Sequence, residues 1–139
     1  MPYIEKIEEL ALKFRKAIEK AQPLLEHTSF ASFPKGSCGD ASLLLKKYLE
    51  SAGIRGLKYA TGINDKGHSH AWLIYGCLII DITTDQFAEK RNKVFISEKS
   101  DFHDLFKCRL VARNTSIEDY DENTYKRLLN SYKIIKSFL

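Results

Sequence analysis

The chain has 139 residues, of which 44% are hydrophobic and 29% are charged, proportions that are ordinary for a globular protein. We therefore predict a single domain over residues 1–139, able to bury about two-thirds of the surface that its unfolded chain would expose. The 22 basic and 18 acidic residues give a net charge of +4 without any block of Lys or Arg, so the sequence predicts no nucleic-acid-binding surface.

Targeting signals are not evident in the sequence. No apolar run approaches the roughly 18 residues of a membrane span, and the N-terminus lacks the apolar segment of a secretory signal. The three cysteines, Cys38, Cys77 and Cys108, are widely spaced without a C-x-x-C pair, which predicts neither a disulfide framework nor a zinc ribbon. We predict a cytoplasmic protein with no membrane partner; export without a cleaved signal is equally compatible, and the oligomeric state is not indicated.

Two helices are predicted in the first part of the chain. Apolar residues at helical spacing indicate an amphipathic helix over residues 3–21. A second helix is expected to begin at Ser37, because Ser37 and Asp40 form the S-x-x-D pattern of a capping box, and to end before Gly53. Cys38 then takes the first helical position and faces inward.

Short strands follow these helices. Alternating apolar residues and turn signals predict five of them, over residues 57–63, 70–75, 78–83, 94–97 and 109–112. Helical spacing returns over residues 121–139 and predicts a last helix. This order predicts an α+β fold in which helices pack on one antiparallel β-sheet.

The second and third strands carry a histidine and an aspartate in the stretch HAWLIYGCLIID. If Tyr75 and Gly76 form a two-residue loop, His70 pairs directly with Asp81, and their Cβ atoms lie roughly 4.5 to 5.5 Å apart. A register shift of one residue would break this pairing. Asp81 is flanked by apolar residues, so we predict a buried carboxylate that is paired with His70.

Cys38 is the candidate nucleophile. At a helix N-terminus it meets the positive end of the helix dipole and unpaired amides, which favour thiolate over thiol and are able to bind an oxyanion. With His70 as base and Asp81 holding the ring, Cys38 meets the requirements of an activated nucleophile. Taken alone, an inward cysteine on an apolar helical stripe is usually a small core residue, and a His-Asp pair can be purely structural.

Together these residues resemble a known superfamily. The pattern G-S-C-G-D-A-S-L-L-L-K-K-Y-L-E-S-A-G-I, followed by H-A-W-L and I-I-D-I-T, is similar to the core of the transglutaminase-like branch of the papain-like cysteine enzymes, over about residues 34–87. The resemblance implies a papain-like core with Cys38 as nucleophile, His70 as base and Asp81 as the residue that orients His70. No Gln lies between Gln22 and Cys38 to complete the oxyanion hole, so its second donor is left open among a backbone amide and an aromatic NH or OH.

The function predicted from this constellation is cysteine-dependent acyl transfer through a thioester on Cys38, without a metal or other cofactor. The substrate class is a protein, a peptide or an amide-bearing small molecule, and hydrolysis is not separated from amine transfer. Trp72 shares a strand face with His70, and Gln86 follows the next strand, so either could line the site. Core packing explains Trp72 as well, and an ordinary loop position explains Gln86 as well.

Two other interpretations stay open. The first is a non-catalytic binding domain in which the His-Asp pair only holds the fold together. The second is a small metal-binding protein in which His68 and His70 join Cys38 or Cys77 around zinc, although no ligand pair has the usual spacing.

The remaining histidines and thiols receive no role. His27 and His103 are predicted to lie in loops or at element ends, and Cys77 and Cys108 are predicted to be core or edge thiols on strands.

Overall fold

The computed structural model describes residues 3–87, 92–112 and 115–139, without the side chains of 108–110. These residues contain four α-helices, α1 (Ile4–Ala21), α2 (Cys38–Ser51), α3 (Asp101–Asp104) and α4 (Glu122–Lys136), and five strands, β1 (Leu57–Ile63), β2 (Ser69–Tyr75), β3 (Leu78–Asp81), β4 (Phe95–Ser97) and β5 (Lys107–Ala112). The strands form an antiparallel sheet in the order β4-β3-β2-β1-β5. The predicted α+β class is confirmed.

The two faces of the sheet are covered by different elements. On one face, Leu73 and Ile80 pack into the main core with apolar residues of α1, α2 and α4. On the other face, Trp72 packs with Phe102 of α3 and with Phe106 just after it. Because side chains alternate along a strand, the even-numbered residues of β2 face this second, aromatic cluster.

The loop of the β2–β3 hairpin differs from the prediction. Gly76 and Cys77 form the loop, and Tyr75 pairs with Leu78. Gly76 has a φ of 61°, which suits the first loop position of a type II′ turn, where glycine is favoured. The predicted loop consisted of Tyr75 and Gly76, with the glycine at the second loop position, and this prediction is wrong. Cys77 is an exposed loop residue and not a strand thiol.

This change moves the β2–β3 register by two residues. Leu73 pairs with Ile80, so the continued register places His70 diagonally from Asp81 and not directly opposite it. A shift of one residue would have turned one of the two side chains to the other face, but a shift of two leaves both on the same face. The predicted direct pairing is therefore wrong, although the two side chains remain neighbours.

Helix α2 begins at Cys38 as predicted, but without the predicted capping box. The side chain of Ser37 makes no cap hydrogen bond, and the backbone of Ser37 has φ −130° and ψ 11°, outside the extended conformation of a standard N-cap. The carboxylate of Asp40 accepts hydrogen bonds from Ser29 at 2.5 Å and from Arg127 at 3.0 Å instead. Tertiary partners thus replace the local cap.

Helix α3 was not predicted, and it covers the aromatic face of the sheet. Cys108 lies on β5 as predicted, and its side chain lies outside the described part of the structure. Among the described residues, no helix is both long enough and apolar enough to cross a membrane.

Candidate active site

Asp81 is the centre of a buried hydrogen-bond network at the end of β3. The residue is 1% exposed, and its Oδ2 atom lies 2.5 Å from Nε2 of His70 and 2.7 Å from Nε2 of His103. Its Oδ1 atom accepts from the backbone N–H of Thr83 at 2.9 Å and from the hydroxyl of Thr83 at 3.2 Å. Burial alone would raise the pKa of Asp81, but the hydrogen bonds from His103 and His70, with their charges, lower this pKa to about 2. The carboxylate is therefore an anion at neutral pH.

His70 is held by the carboxylate of Asp81. It is buried near the start of β2, and since Nε2 faces Asp81, Nδ1 is the nitrogen left for other partners. The amide nitrogen of Gln86 lies 3.3 Å from Nδ1. Burial alone would lower the pKa of His70, but hydrogen bonds to Asp81 and Cys38, with the charges of both groups, raise this pKa to about 9. The structure thus brings His70, Asp81 and Gln86 together, and Cys38 is among the groups that raise the pKa of His70.

Cys38 lies at the first residue of α2, half-buried against the main core. A tyrosine hydroxyl from β1 lies beside this helix end: Tyr59 Oη is 3.0 Å from the point that a Cβ atom on Gly39 would occupy. Burial raises the pKa of Tyr59, and the charges of Tyr120, Cys38 and Asp40 raise it further. The hydroxyl is therefore a protonated donor at neutral pH, and sequence analysis did not identify it.

His103 is a second histidine on the same carboxylate, and sequence analysis assigned it no role. Ser100 caps α3: its Oγ accepts from the backbone N–H of His103 at 3.0 Å and lies 2.5 Å from His103 Nδ1. Because Oγ already accepts one hydrogen bond, its own proton is available to Nδ1, and we infer that the ring proton of His103 lies on Nε2, facing Asp81. The one available signal was Ser100 in the N-cap position before D-F-H-D.

Aromatic rings enclose the imidazole of His70. The distances between its centroid and the neighbouring centroids range from 5.1 Å to 5.9 Å, for Phe87, Phe106, Trp72, Phe102 and His103. Phe106 fits here because Gly62 of β1, which pairs with His70, has no side chain: a Cβ atom on Gly62 would lie 2.9 Å from Cβ of Phe106. Trp72 is thus a core residue whose ring contacts His70, and its role as a wall of the site stays a prediction.

The residues of the predicted metal site do not come together in the structure. His68 is exposed, and the described residues that could share an ion are His70, Asp81 and His103, with no cysteine among them. Zinc ligands at about 2.0–2.1 Å in a tetrahedron lie roughly 3.3 Å from one another. The ligand atoms here are 2.5 and 2.7 Å apart, which is the separation of direct hydrogen bonds.

A buried arginine of α1 connects the two chain segments that flank the site. Arg15 is 2% exposed; Nη1 donates to Ile82 O at 2.6 Å, and both terminal nitrogens donate to Asp85, at 2.7 and 2.8 Å. Its guanidinium also lies 4.5 Å from the ring centre of Phe33, just ahead of Cys38. Arg15 therefore ties the segment after Asp81 to the segment before α2.

We expect Arg15→Met to lower the free energy of unfolding by about 3 kcal/mol, because the guanidinium it removes is itself buried and donates two hydrogen bonds to the carboxylate of Asp85. Urea unfolding at neutral pH measures this change. Arg127→Met is the matched control: its ion pair with Asp40 is partly exposed, so about 1 kcal/mol or less is expected. Equal losses in the two variants would contradict the connecting role of Arg15.

Comparisons with protein-family models, with curated protein sequences and with solved structures return no match for this chain.

Proposed function

We propose that this chain is a cysteine-dependent acyl-transfer enzyme with a papain-like core of the transglutaminase-like branch. The observation that carries the proposal is the imidazole of His70, which is buried and bound to Asp81 through Nε2. Cys38, the first residue of a helix, is among the groups that raise its pKa. Cys38 is the nucleophile, His70 the acid and base, and Asp81 the residue that orients the ring. The substrate is a protein, a peptide or an amide-bearing small molecule.

The two half-reactions follow from this arrangement. The sulfur of Cys38 attacks the carbonyl carbon, and the carbonyl π electrons move to oxygen. When the C=O bond reforms, the C–N bond breaks, and the proton on Nδ1 of His70 passes to the leaving amine. Water or a second amine then attacks the thioester, loses its proton to His70, and releases the thiolate of Cys38.

Two donors near Cys38 are positioned to stabilise the oxyanion. The backbone N–H of Cys38 belongs to the first turn of α2, where amides have no intrahelical acceptor. The hydroxyl of Tyr59 lies beside the same turn and is protonated at neutral pH. Tyr59 is thus our candidate for the second oxyanion donor, which the sequence left open among three types of group.

Alkylation by iodoacetamide tests the proposal directly. At pH 6.5 we expect Cys38 to react at least about 10-fold faster than Cys77, although Cys77 is the more exposed thiol, because a helix N-terminus and a nearby imidazole favour nucleophilic attack by a thiol. Peptide mass spectrometry measures both rates in the same sample. A rate at Cys38 equal to or below the rate at Cys77 would reject the activated nucleophile.

The competing hypothesis is a non-catalytic domain in which the same residues hold the fold together. The near-complete burial of His70 and Asp81 favours it. Hydrolysis of p-nitrophenyl acetate separates the two hypotheses: an enzyme loses this activity in Cys38→Ser and keeps it in Cys77→Ser, whereas a structural domain shows no difference between them. Circular dichroism establishes that both variants are folded.

A further inference from the structure

A cavity of about 310 Å³ lies on the aromatic face of the sheet, beside the candidate site. Its inner wall consists of the rings of Phe87, Phe102 and Phe106. Its rim consists of Leu105 and of residues 64–66 and 68 in the turn between β1 and β2. We refer to this cavity as the aromatic pocket.

The aromatic pocket shares its wall with the candidate active site. The same three rings that line the pocket contact the imidazole of His70, with centroid distances of 5.1 Å for Phe87, 5.5 Å for Phe106 and 5.9 Å for Phe102. Only the thickness of one ring therefore separates the pocket from the imidazole. The shared wall lies on the side of His70, and no residue of α2 lines the pocket.

The composition of the aromatic pocket selects an uncharged, apolar occupant. Its interior is aromatic, and its rim carries one acidic and one basic residue, Asp65 and Lys66, whose charges offset each other. Leu105 is an apolar rim residue that is 63% exposed, so an occupant would remove its side chain from water. A cavity of roughly half this volume holds a benzene ring. The pocket thus has room for one aromatic or large aliphatic side chain.

We propose that the aromatic pocket binds the aromatic or large aliphatic side chain of the substrate residue whose nitrogen leaves during acylation. This inference rests on the proposed acyl-transfer function. His70 must reach the leaving nitrogen in order to protonate it, so the atoms attached to that nitrogen lie on the His70 side of the site. The rings that line the aromatic pocket contact His70, so the pocket lies on that side. Selectivity is therefore expected for the amine half of the substrate.

Binding is tested in Cys38→Ala, which cannot react. The single tryptophan, Trp72, has its ring centre 6.2 Å from that of Phe106 and reports on the pocket through its fluorescence. We expect phenylalanine amide to bind about 10- to 100-fold more tightly than alanine amide, as burial of one aromatic side chain implies. Leu105→Asp should weaken the binding of phenylalanine amide at least about 10-fold. Leu24→Asp, equally exposed at 62% but distant from the pocket, should not weaken it.

A second measurement uses the wild-type chain acetylated at Cys38 by p-nitrophenyl acetate, which releases p-nitrophenol. Phenylalanine amide then attacks the thioester carbonyl; a C–N bond forms, the C–S bond breaks, and the amine proton passes to His70. We expect acetyl-phenylalanine amide to form at least about 10-fold faster than acetyl-alanine amide.

The proposal would be overturned if phenylalanine amide and alanine amide bind equally well. It would also be overturned if phenylalanine amide binds equally well with and without the Leu105→Asp substitution. Selectivity only for an aromatic group on the acyl half of an ester would overturn it as well. If Cys38 is alkylated selectively but the two amides bind equally well, only the proposal about the aromatic pocket is overturned, and the proposed acyl-transfer function stands. Unselective alkylation overturns the proposed function, and with it the assignment to the amine half, even where the binding preference is present.

Discussion

Asp81→Ala is expected to lower the free energy of unfolding by about 4 kcal/mol and to reduce acyl transfer by about 10,000-fold. From the described residues the side chain accepts four hydrogen bonds, one from His70, one from His103 and two from Thr83. Its removal leaves all four donors without their acceptor in the interior. Urea unfolding and hydrolysis of p-nitrophenyl acetate measure the two effects.

Asp81→Asn separates the two contributions because it preserves the volume of the side chain. An amide has one acceptor oxygen, so either the two imidazoles or the two donors of Thr83 face its NH₂ group. We expect a loss of about 2 kcal/mol in stability, with acyl transfer still strongly reduced because His70 is no longer held in one tautomer. Asp104→Ala, an exposed residue of α3, should change stability by about 0.5 kcal/mol or less. An Asp81→Ala variant as stable as Asp104→Ala would contradict the central position of Asp81.

The sequence predicted the elements of the fold better than their junctions. Helical and alternating periodicity are properties of short windows, so they identified α1, α2, α4 and the strands. The hairpin loop depended on one glycine, and Gly76 fits either loop position by sequence alone. The contact between His70 and Asp81 was predicted despite the wrong loop, because a register error of two residues leaves side chains on the same face of a sheet.

The parts of the candidate site that were missed depend on contacts between distant segments. His103 lies 22 residues from Asp81, on a helix of four residues that is too short to show periodicity. Arg15 lies 70 residues from Asp85, and its position on α1 has no local signal. The absent capping box has the same origin, since Asp40 is bound by Arg127, 87 residues away. Local patterns alone do not determine such partners.

The pH dependence of stability tests the interaction between His70 and Cys38. A group whose pKa is raised by folding contributes stability that is fully present below its unfolded pKa, about 6.5, and is lost as the pH rises through its folded pKa, about 9. We therefore expect the wild-type chain to lose about 3 kcal/mol of stability from His70 between pH 6.5 and pH 9. Urea unfolding across this range measures the loss, and NMR titration of the imidazole signals assigns it to His70.

Cys38→Ala distinguishes the thiol from the carboxylate as the cause of this pH dependence. Burial still lowers the pKa of His70 in this variant, while Asp81 alone raises it, so His70 should titrate at a lower pH than in the wild type. Cys77→Ala, which alters an exposed loop thiol, should leave the titration unchanged. Titration of His70 at the same pH with and without Cys38 would show that the thiol and the imidazole do not interact. A lower value in Cys38→Ala means that Cys38 raises the pKa of His70 in the wild type. A wild-type pKa of about 9 makes His70 an imidazolium at neutral pH. Acylation requires this protonation state, because the leaving amine must receive its proton from Nδ1.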